Sequence, residues 1–326
     1  MTLMPIILGS IPVEGYFRMH INFSGKVAIV TGAGGGLGRA HALALAERGA
    51  KVVVNDMGGS VTGGGVDDGP AARVVTEIEQ RGGKAFAHRC DVTDVAEVED
   101  MVRQAIARWG RVDILINNAG ILRDKSFAKV DLDDFRKVLD VHLMGSVHCT
   151  KAVWPHMVEQ GYGRILMTTS ASGIYGNFGQ SNYGAAKSGV VGLMNVLSIE
   201  GARKGIRVNA LAPTAATRMT EDLIDDEALA SLTPESISPG ALYLVSEDAP
   251  TKTILAAGAG VFAVARMEES AGVYLPEDVR SPEVIAERWS EISDMSSSVI
   301  TESAFEQTGR YVALAAGTDL SAGVGR

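Results

Sequence analysis

Residues 25–50, GKVAIVTGAGGGLGRAHALALAERGA, restrict the fold of this chain more than any other stretch. An uninterrupted apolar run at 26–30 leads into a glycine-rich turn, and the turn opens a helix carrying Leu43, Leu45 and Ala46. A strand that is apolar at every position has no face for water and belongs in a sheet covered on both sides. KVVVND at 51–56 repeats the pattern, and further strands are expected at 85–89, 113–117, 164–168 and 207–211 with helical stretches between them. Such alternation predicts an α/β fold, a doubly wound parallel sheet. No self-similar period of 20–50 residues argues for a repeat architecture instead.

The first turn carries Gly32, Gly36 and Gly38 as G-x-x-x-G-x-G, with Leu37 between the last two. Missing side chains let a backbone approach a pyrophosphate at the positive end of the following helix. The spacing differs from the common G-x-G-x-x-G. Asp56 ends the second strand, where a carboxylate accepts hydrogen bonds from adenosine ribose hydroxyls and repels a 2′-phosphate. No Lys or Arg precedes Gly38 in the turn and Met57 follows Asp56, which favours NAD over NADP. The following loop, GGSVTGGGVDDGP, reads either as a functional loop or as a surface insertion. Asp91, next to Val92, is placed to receive the adenine amino group or to cap the helix expected at 94–108, two compatible roles. Asn117, Asn118, Ala119 and Gly120 end the fourth strand, where amide side chains can tie neighbouring strands and Ala-Gly leaves room for a cofactor ribose.

Ser170, Tyr183 and Lys187 lie in SASGIYGNFGQSNYGAAK. Tyr183 and Lys187 are four residues apart, so a helix stacks them on one face, where an ammonium favours the ionised phenol. A hydroxyl thirteen residues upstream can hold a substrate oxygen while the phenol exchanges its proton. In isolation such a pair is an ordinary helix face, and it gains meaning only from the phosphate turn, the carboxylate and NNAG ahead of it.

Taken together, TGAGGGLG, NNAG, Ser170, Tyr183 and Lys187 resemble the short-chain dehydrogenase/reductase family over residues 23–260. The resemblance implies a Rossmann-fold dehydrogenase that passes a hydride from a secondary alcohol to NAD. In that reading Tyr183 is the acid-base, Lys187 holds the nicotinamide ribose and lowers the tyrosine pKa, and Ser170 positions the substrate oxygen. The implied cofactor contacts are Gly32, Gly36, Leu37, Gly38, Asp56, Asp91, Val92, Asn118, Ala119, Gly120, Tyr183, Lys187, Pro213 and Thr217. NNAGILRDKSFAK, VHLMG, WPHM and APTAATRMT look like the branch formed by the (3R)-hydroxyacyl-CoA dehydrogenase domains of peroxisomal multifunctional enzymes of type 2, also known as 17β-hydroxysteroid dehydrogenases. That likeness continues into ERWSEISDMSS. It implies a (3R)-3-hydroxyacyl-CoA substrate, with a free hydroxysteroid as the alternative and a catalytically weak NAD sensor or scaffold as the non-enzyme alternative.

Two positions depart from the family. His142 stands where most members carry an asparagine that holds a relay water, so it is either a relay group or a core histidine. Thr214 follows Pro213 in place of the usual glycine. Arg123, Lys125 and Arg218 are candidates for CoA phosphates, or are solvated. Gly173, Ile174, Tyr175 and Phe178 read as an apolar wall for an acyl or steroid chain, or as core.

The 326 residues carry a formal net charge of −9, which argues against nucleic-acid partners while leaving room for a local basic pocket. With 46% apolar and 21% charged residues the chain reads as globular. Cys90 and Cys149 have no C-x-x-C spacing, which points to reduced, packed thiols, a cytoplasmic setting and no metal site. The apolar run at 5–13 has no Lys or Arg ahead of it, is broken by prolines and a glycine, and is too short for a bilayer, so no membrane span is expected. Three parts are expected: an N-terminal extension at 1–20, the dehydrogenase domain at 21–266 closed by a last strand at 260–264, and a C-terminal extension at 267–326. SPEVIAERWSEI in that extension predicts an amphipathic helix with Val284, Ile285 and Trp289 on one face, buried on the body or a second subunit. The family likeness implies a homodimer in which helices at 133–159 and 182–204 meet across a two-fold.

Overall fold

Every residue of β1 (Val27–Thr31), β4 (Ile114–Asn117) and β5 (Gly163–Thr168) is buried, as strands covered on both faces must be. These belong to a computed structural model that describes residues 20–58, 69–215 and 231–318. With β2 (Lys51–Asn55), β3 (Lys84–His88), β6 (Ile206–Thr214), β7 (Ile254–Gly258) and β8 (Val261–Ala265) they form one sheet in the order β3-β2-β1-β4-β5-β6-β7-β8. β1 pairs in parallel with β2 on one side and β4 on the other, so the strand order reverses between β1 and β4. In such sheets the ligand crevice opens at the carboxyl ends of those two strands.

The helices are α1 (Gly36–Glu47), α2 (Gly69–Gln80), α3 (Val95–Trp109), α4 (Leu132–Leu139), α5 (Gly145–Gln160), α6 (Ala171–Ile174), α7 (Ser181–Gly201) and α8 (Pro234–Leu244). On one sheet face Val30, Val54 and Ile116 join Leu45 of α1, Ile78 of α2 and Ile237 of α8 in one apolar cluster. The alternate residues Ile29, Leu115, Ile165 and Met167 are equally buried, and α5 and α7 pack against this part of the sheet. At the amino end Asp113, wholly buried, accepts from Val27 N at 2.8 Å and is held by the Arg111 guanidinium. A buried carboxylate is tolerable only when paired in this way.

The structure departs from the sequence reading in three places, while its thiols are as expected. The strand expected at 260–264 is β8, but β7 takes the place beside β6; its run of small residues, Ala256 to Gly258, gave little strand signal. The helix expected at 133–159 is α4 and α5 joined through a π-helical turn, Asp140–Met144, that holds His142. The cap of α3 is Asp94, whose carboxylate accepts from Ala96 N and Glu97 N; Asp91 turns instead onto Thr93 N and Oγ1. Cys90 and Cys149 are free, buried thiols; burial pushes Cys149 up to about 12, and Cys90 is raised for the same reason. The N-terminal extension through 19, most of the glycine-rich loop (59–68) and residues 216–230 lie outside the described residues. Among those described, no helix is long and apolar enough to cross a membrane.

A second compact unit begins at Ala265. Ser281 caps α9 (Pro282–Glu287), accepting from Val284 N as the Ser-Pro-Glu signal predicts, but the helix breaks at Arg288 before α10 (Trp289–Ile292). Ile285 and Trp289 are exposed, which the amphipathic pattern did not lead one to expect. Glu269 organises this unit: its backbone exchanges two hydrogen bonds with Val299, and its carboxylate takes Thr301, Gln307 and the Arg310 guanidinium, the last two from α11 (Ala304–Ala315).

His41 on α1 is buried with Nδ1 2.9 Å from Ser238 Oγ of α8, and burial lowers its pKa to about 4. The unfolded chain then binds more protons than the folded one between pH 6.5 and 4, so stability falls as pH falls through that window, by about 3 kcal/mol in total. His41→Gln keeps a hydrogen-bonding group without the titration. Urea unfolding at both ends of the window should show wild type losing about 3 kcal/mol more than the variant.

Candidate active site

The crevice between β1 and β4 is stitched shut at its floor by one hydroxyl. Thr31 Oγ1, at the end of β1, accepts from Asn118 N at 2.9 Å and Ala119 N at 3.0 Å, while Asn118 Nδ2 donates to Thr31 O and Gly32 O. The glycine turn fits against this stitch because it lacks side chains. A Cβ on Gly32, whose φ is +62°, would lie 2.8 Å from Ala119 Cα, and one on Gly38 would lie 2.3 Å from Gly32 O. Gly36 opens α1 with φ at +52°, and no side chain caps the helix, so its first amides face the turn. Leu37 is half-buried against the core cluster, leaving its backbone to the turn.

Asp56 closes the other side of the turn. Its Oδ2 accepts from Gly34 N at 2.8 Å and Oδ1 from Gly58 N at 2.7 Å. Each oxygen keeps a second lone pair for a ribose hydroxyl. A Cβ on Gly34 would lie 2.8 Å from Asp56 Cγ, so this glycine, missed in the sequence reading, is what lets the carboxylate reach the turn. The turn, the uncapped α1 and the carboxylate fit a dinucleotide. Arg39, one residue past the turn, pairs with Glu77 at 2.6 Å and Glu235 at 3.7 Å. Val92 is buried, its carbonyl accepting from His148 Nδ1 at 3.0 Å. Pro213 stands near the end of β6 opposite Ala257, while Thr217 and Arg218 lie outside the described residues.

Ser170 follows β5 and caps α6, its Oγ accepting from Ser172 N at 3.2 Å. Tyr183 and Lys187 share one face of α7, with Lys187 Nζ 5.5 Å from the phenol ring centre. Lys187 is buried, donates to Thr168 O at 2.5 Å, and burial lowers its pKa to about 7. Burial also pushes the Tyr183 phenol up, against the pull of the Ser170 hydroxyl and with a further push from the Asp124 carboxylate. Spacing alone suggested that the ammonium would set the phenol's acidity; desolvation of both groups is the larger effect.

His142 sits edge-on to Tyr183, ring centres 5.1 Å apart. Its Nε2 is 2.7 Å from Ile121 O and 3.1 Å from Ile121 N. One nitrogen does not donate and accept at once, and the shorter contact assigns it as the donor. Nδ1 is then a buried acceptor with no partner among the described residues. Burial and the Lys187 charge hold the imidazole well below its usual pKa, so it is neutral. Gly120 makes room for it: a Cβ there would lie 2.3 Å from His142 Cε1, so the glycine of NNAG serves the imidazole as well as any ribose.

At the rim, Arg123 and Lys125 both pair with Asp134 of α4, which holds that carboxyl below its usual range. Tyr175 and Phe178 are 74% and 89% exposed, so they are surface and not core. Gly173 is no wall residue; a Cβ there would lie 2.6 Å from Lys187 Cβ, and its absence lets α6 close on α7, leaving Ile174 half-buried.

Gly120→Ala should cost roughly 1–3 kcal/mol in urea unfolding through overpacking. Gly120→Ala with His142→Asn, which removes the ring, should recover most of that loss.

The profile of the short chain dehydrogenase family matches residues 26–228. The chain is 45% identical over 295 residues to the mouse peroxisomal multifunctional enzyme type 2, covering 90% of this chain and 40% of that protein. The structure of the full-length Drosophila melanogaster enzyme of that name matches with a TM-score of 0.77 at 38% identity, covering 91% of this chain and 50% of the other. A 7α-hydroxysteroid dehydrogenase complexed with NADH and 7-oxo glycochenodeoxycholic acid matches with a TM-score of 0.67 at 34% identity, covering 73% of this chain and 95% of the other. This chain thus spans half or less of the two multifunctional enzymes, and it belongs to the short-chain dehydrogenase/reductase family of oxidoreductases.

Proposed function

We propose that this chain oxidises the secondary alcohol of a (3R)-3-hydroxyacyl-CoA to the 3-ketoacyl-CoA with NAD. The observation that carries the reading is the Tyr183–Lys187 face of α7, with buried Lys187 Nζ 5.5 Å from the phenol ring and the Ser170 hydroxyl acting on the phenol, beside the crevice of a dinucleotide turn. The glycine turn and α1 would hold the pyrophosphate and Asp56 the adenosine ribose. Asp56, with Arg39 paired to Glu77 and Glu235, favours NAD over NADP, since among the described residues no unpaired cation at the turn offsets repulsion of a 2′-phosphate. When bound, NAD supplies the hydride acceptor. Ser170 orients the alcohol oxygen, and Tyr183 takes its proton as the carbon–hydrogen bond gives up its electron pair. Lys187, as the ammonium, holds the nicotinamide ribose and stabilises the phenolate. His142 Nδ1 offers a neutral acceptor within electrostatic reach of Lys187 for the departing proton.

Exposed Tyr175 and Phe178 beside α6 suit an apolar chain. Likeness to the multifunctional enzymes favours the acyl-CoA, and likeness to the hydroxysteroid dehydrogenase supports a free steroid as the second reading. Exposed Val196 and Ile199 on α7 suit a homodimer through that helix.

NADH release with matched (3R)- and (3S)-hydroxyacyl-CoA pairs and a hydroxysteroid tests the substrate. Turnover confined to the (3R) series is expected, and turnover on the steroid alone or on the (3S) series overturns it. Tyr183→Phe should lower turnover roughly 10²–10⁴-fold while NAD still binds. Burial raises the phenol and lowers Lys187 to about 7, so oxidation by wild type should rise with pH as more Tyr183 becomes a base and turn down as the Lys187 ammonium is lost.

A further inference from the structure

Three segments must keep register for Ser170 and Tyr183 to meet: the loop after β4, the short helix α6 and the start of α7. One residue joins all three, through its side chain and its backbone. Gln180, the residue before α7, donates from Nε2 to Asp124 Oδ2 at 2.6 Å. Its Oε1 accepts from Ser172 Oγ at 2.7 Å and from Asn177 Nδ2 at 3.1 Å. These neighbours fix which way the amide lies, because turning it over would set oxygen against the Asp124 carboxylate and one N–H group against another. The backbone is held as well: Gly184 N donates to Gln180 O at 2.7 Å, and Gln180 bridges in parallel to Lys125. Ser172 N in turn donates to Ser170 Oγ, so an unbroken chain of contacts runs from Asp124 through Gln180 and Ser172 to the Ser170 hydroxyl.

We propose that Gln180 is a positioning residue for the dehydrogenase reaction: its side-chain amide holds the Ser170–Tyr183 pair in register with the loop after β4 and fixes where the Asp124 carboxylate stands relative to the phenol. The inference rests on Tyr183 as the proton acceptor. Among the described residues, the titratable groups that act on or pack against that phenol are Lys187 on α7, His142 from the π-helical turn and Asp124 from the loop, of which Asp124 is the carboxylate. An amide donor facing Asp124 satisfies one of its oxygens and restrains its approach to the phenol. Removing that donor frees a negative charge beside the group that must ionise.

Gln180→Glu is isosteric and sets a second carboxylate against Asp124. Gln180→Glu combined with Asp124→Asn restores a donor–acceptor pair with its polarity reversed. Two readouts apply: the titration of Tyr183 followed by NMR of Cζ-labelled tyrosine, its signal identified by its loss in Tyr183→Phe, and kcat and KM against pH with (3R)-3-hydroxyacyl-CoA and NAD. The single variant should move the Tyr183 titration to higher pH and lower kcat at neutral pH roughly tenfold with KM for NAD unchanged. The double variant should return both toward wild type. An unmoved titration in the single variant overturns the proposal, and so does a loss that the double variant fails to restore. Absence of turnover by wild type would instead overturn the substrate reading, and the titration would still decide the role of Gln180.

Discussion

The site depends on one shared hydroxyl. Thr31 Oγ1 takes two backbone amides from the far side of the crevice, and Asn118 returns two bonds to the backbone around Thr31. The β1 and β4 ends are thereby fixed to each other where parallel pairing has stopped, and the glycine turn is fixed to both. Everything further out is placed from this seam: Asp56 from the turn, Gly120 and the loop to Asp124 from the β4 end. A backbone group left unpaired here would cost on the order of 1–3 kcal/mol, which is why a side chain and not a strand ladder closes the gap.

Much of this was legible in the sequence because it is local or periodic. Unbroken apolar strands announce a sheet covered on both sides, and Tyr183 and Lys187 share a face by spacing alone. What escaped depends on contacts between distant segments. The stretch from Asp133 to Glu159 reads as one helix, and only the need to fit an imidazole between Gly120, Ile121 and Tyr183 marks where a wider turn falls. Arg123 and Lys125 read as free cations because their partner, Asp134, comes nine residues or more later on a different element. Gly34 looked like one more glycine in a turn until the Asp56 carboxylate was seen lying against it.

The tyrosine and the lysine show why proximity does not by itself fix acidity. A helix face brings the two together, but the same burial that excludes water from the site disfavours charge on each. Ser170 lowers the phenol and Asp124 raises it, so the position of a rim loop bears on the proton chemistry of the site. His142 meets the same low-polarity surroundings by staying neutral.

The C-terminal unit obeys a different logic. None of its described residues is buried, and its order is centred on the Glu269 carboxylate. Unfolding such a unit uncovers little apolar surface, so it contributes little to the heat-capacity change or to the denaturant slope, both of which belong almost wholly to the dehydrogenase unit. Calorimetry of the whole chain is then a measurement of the sheet, in which melting of the last fifty or so described residues passes nearly unseen.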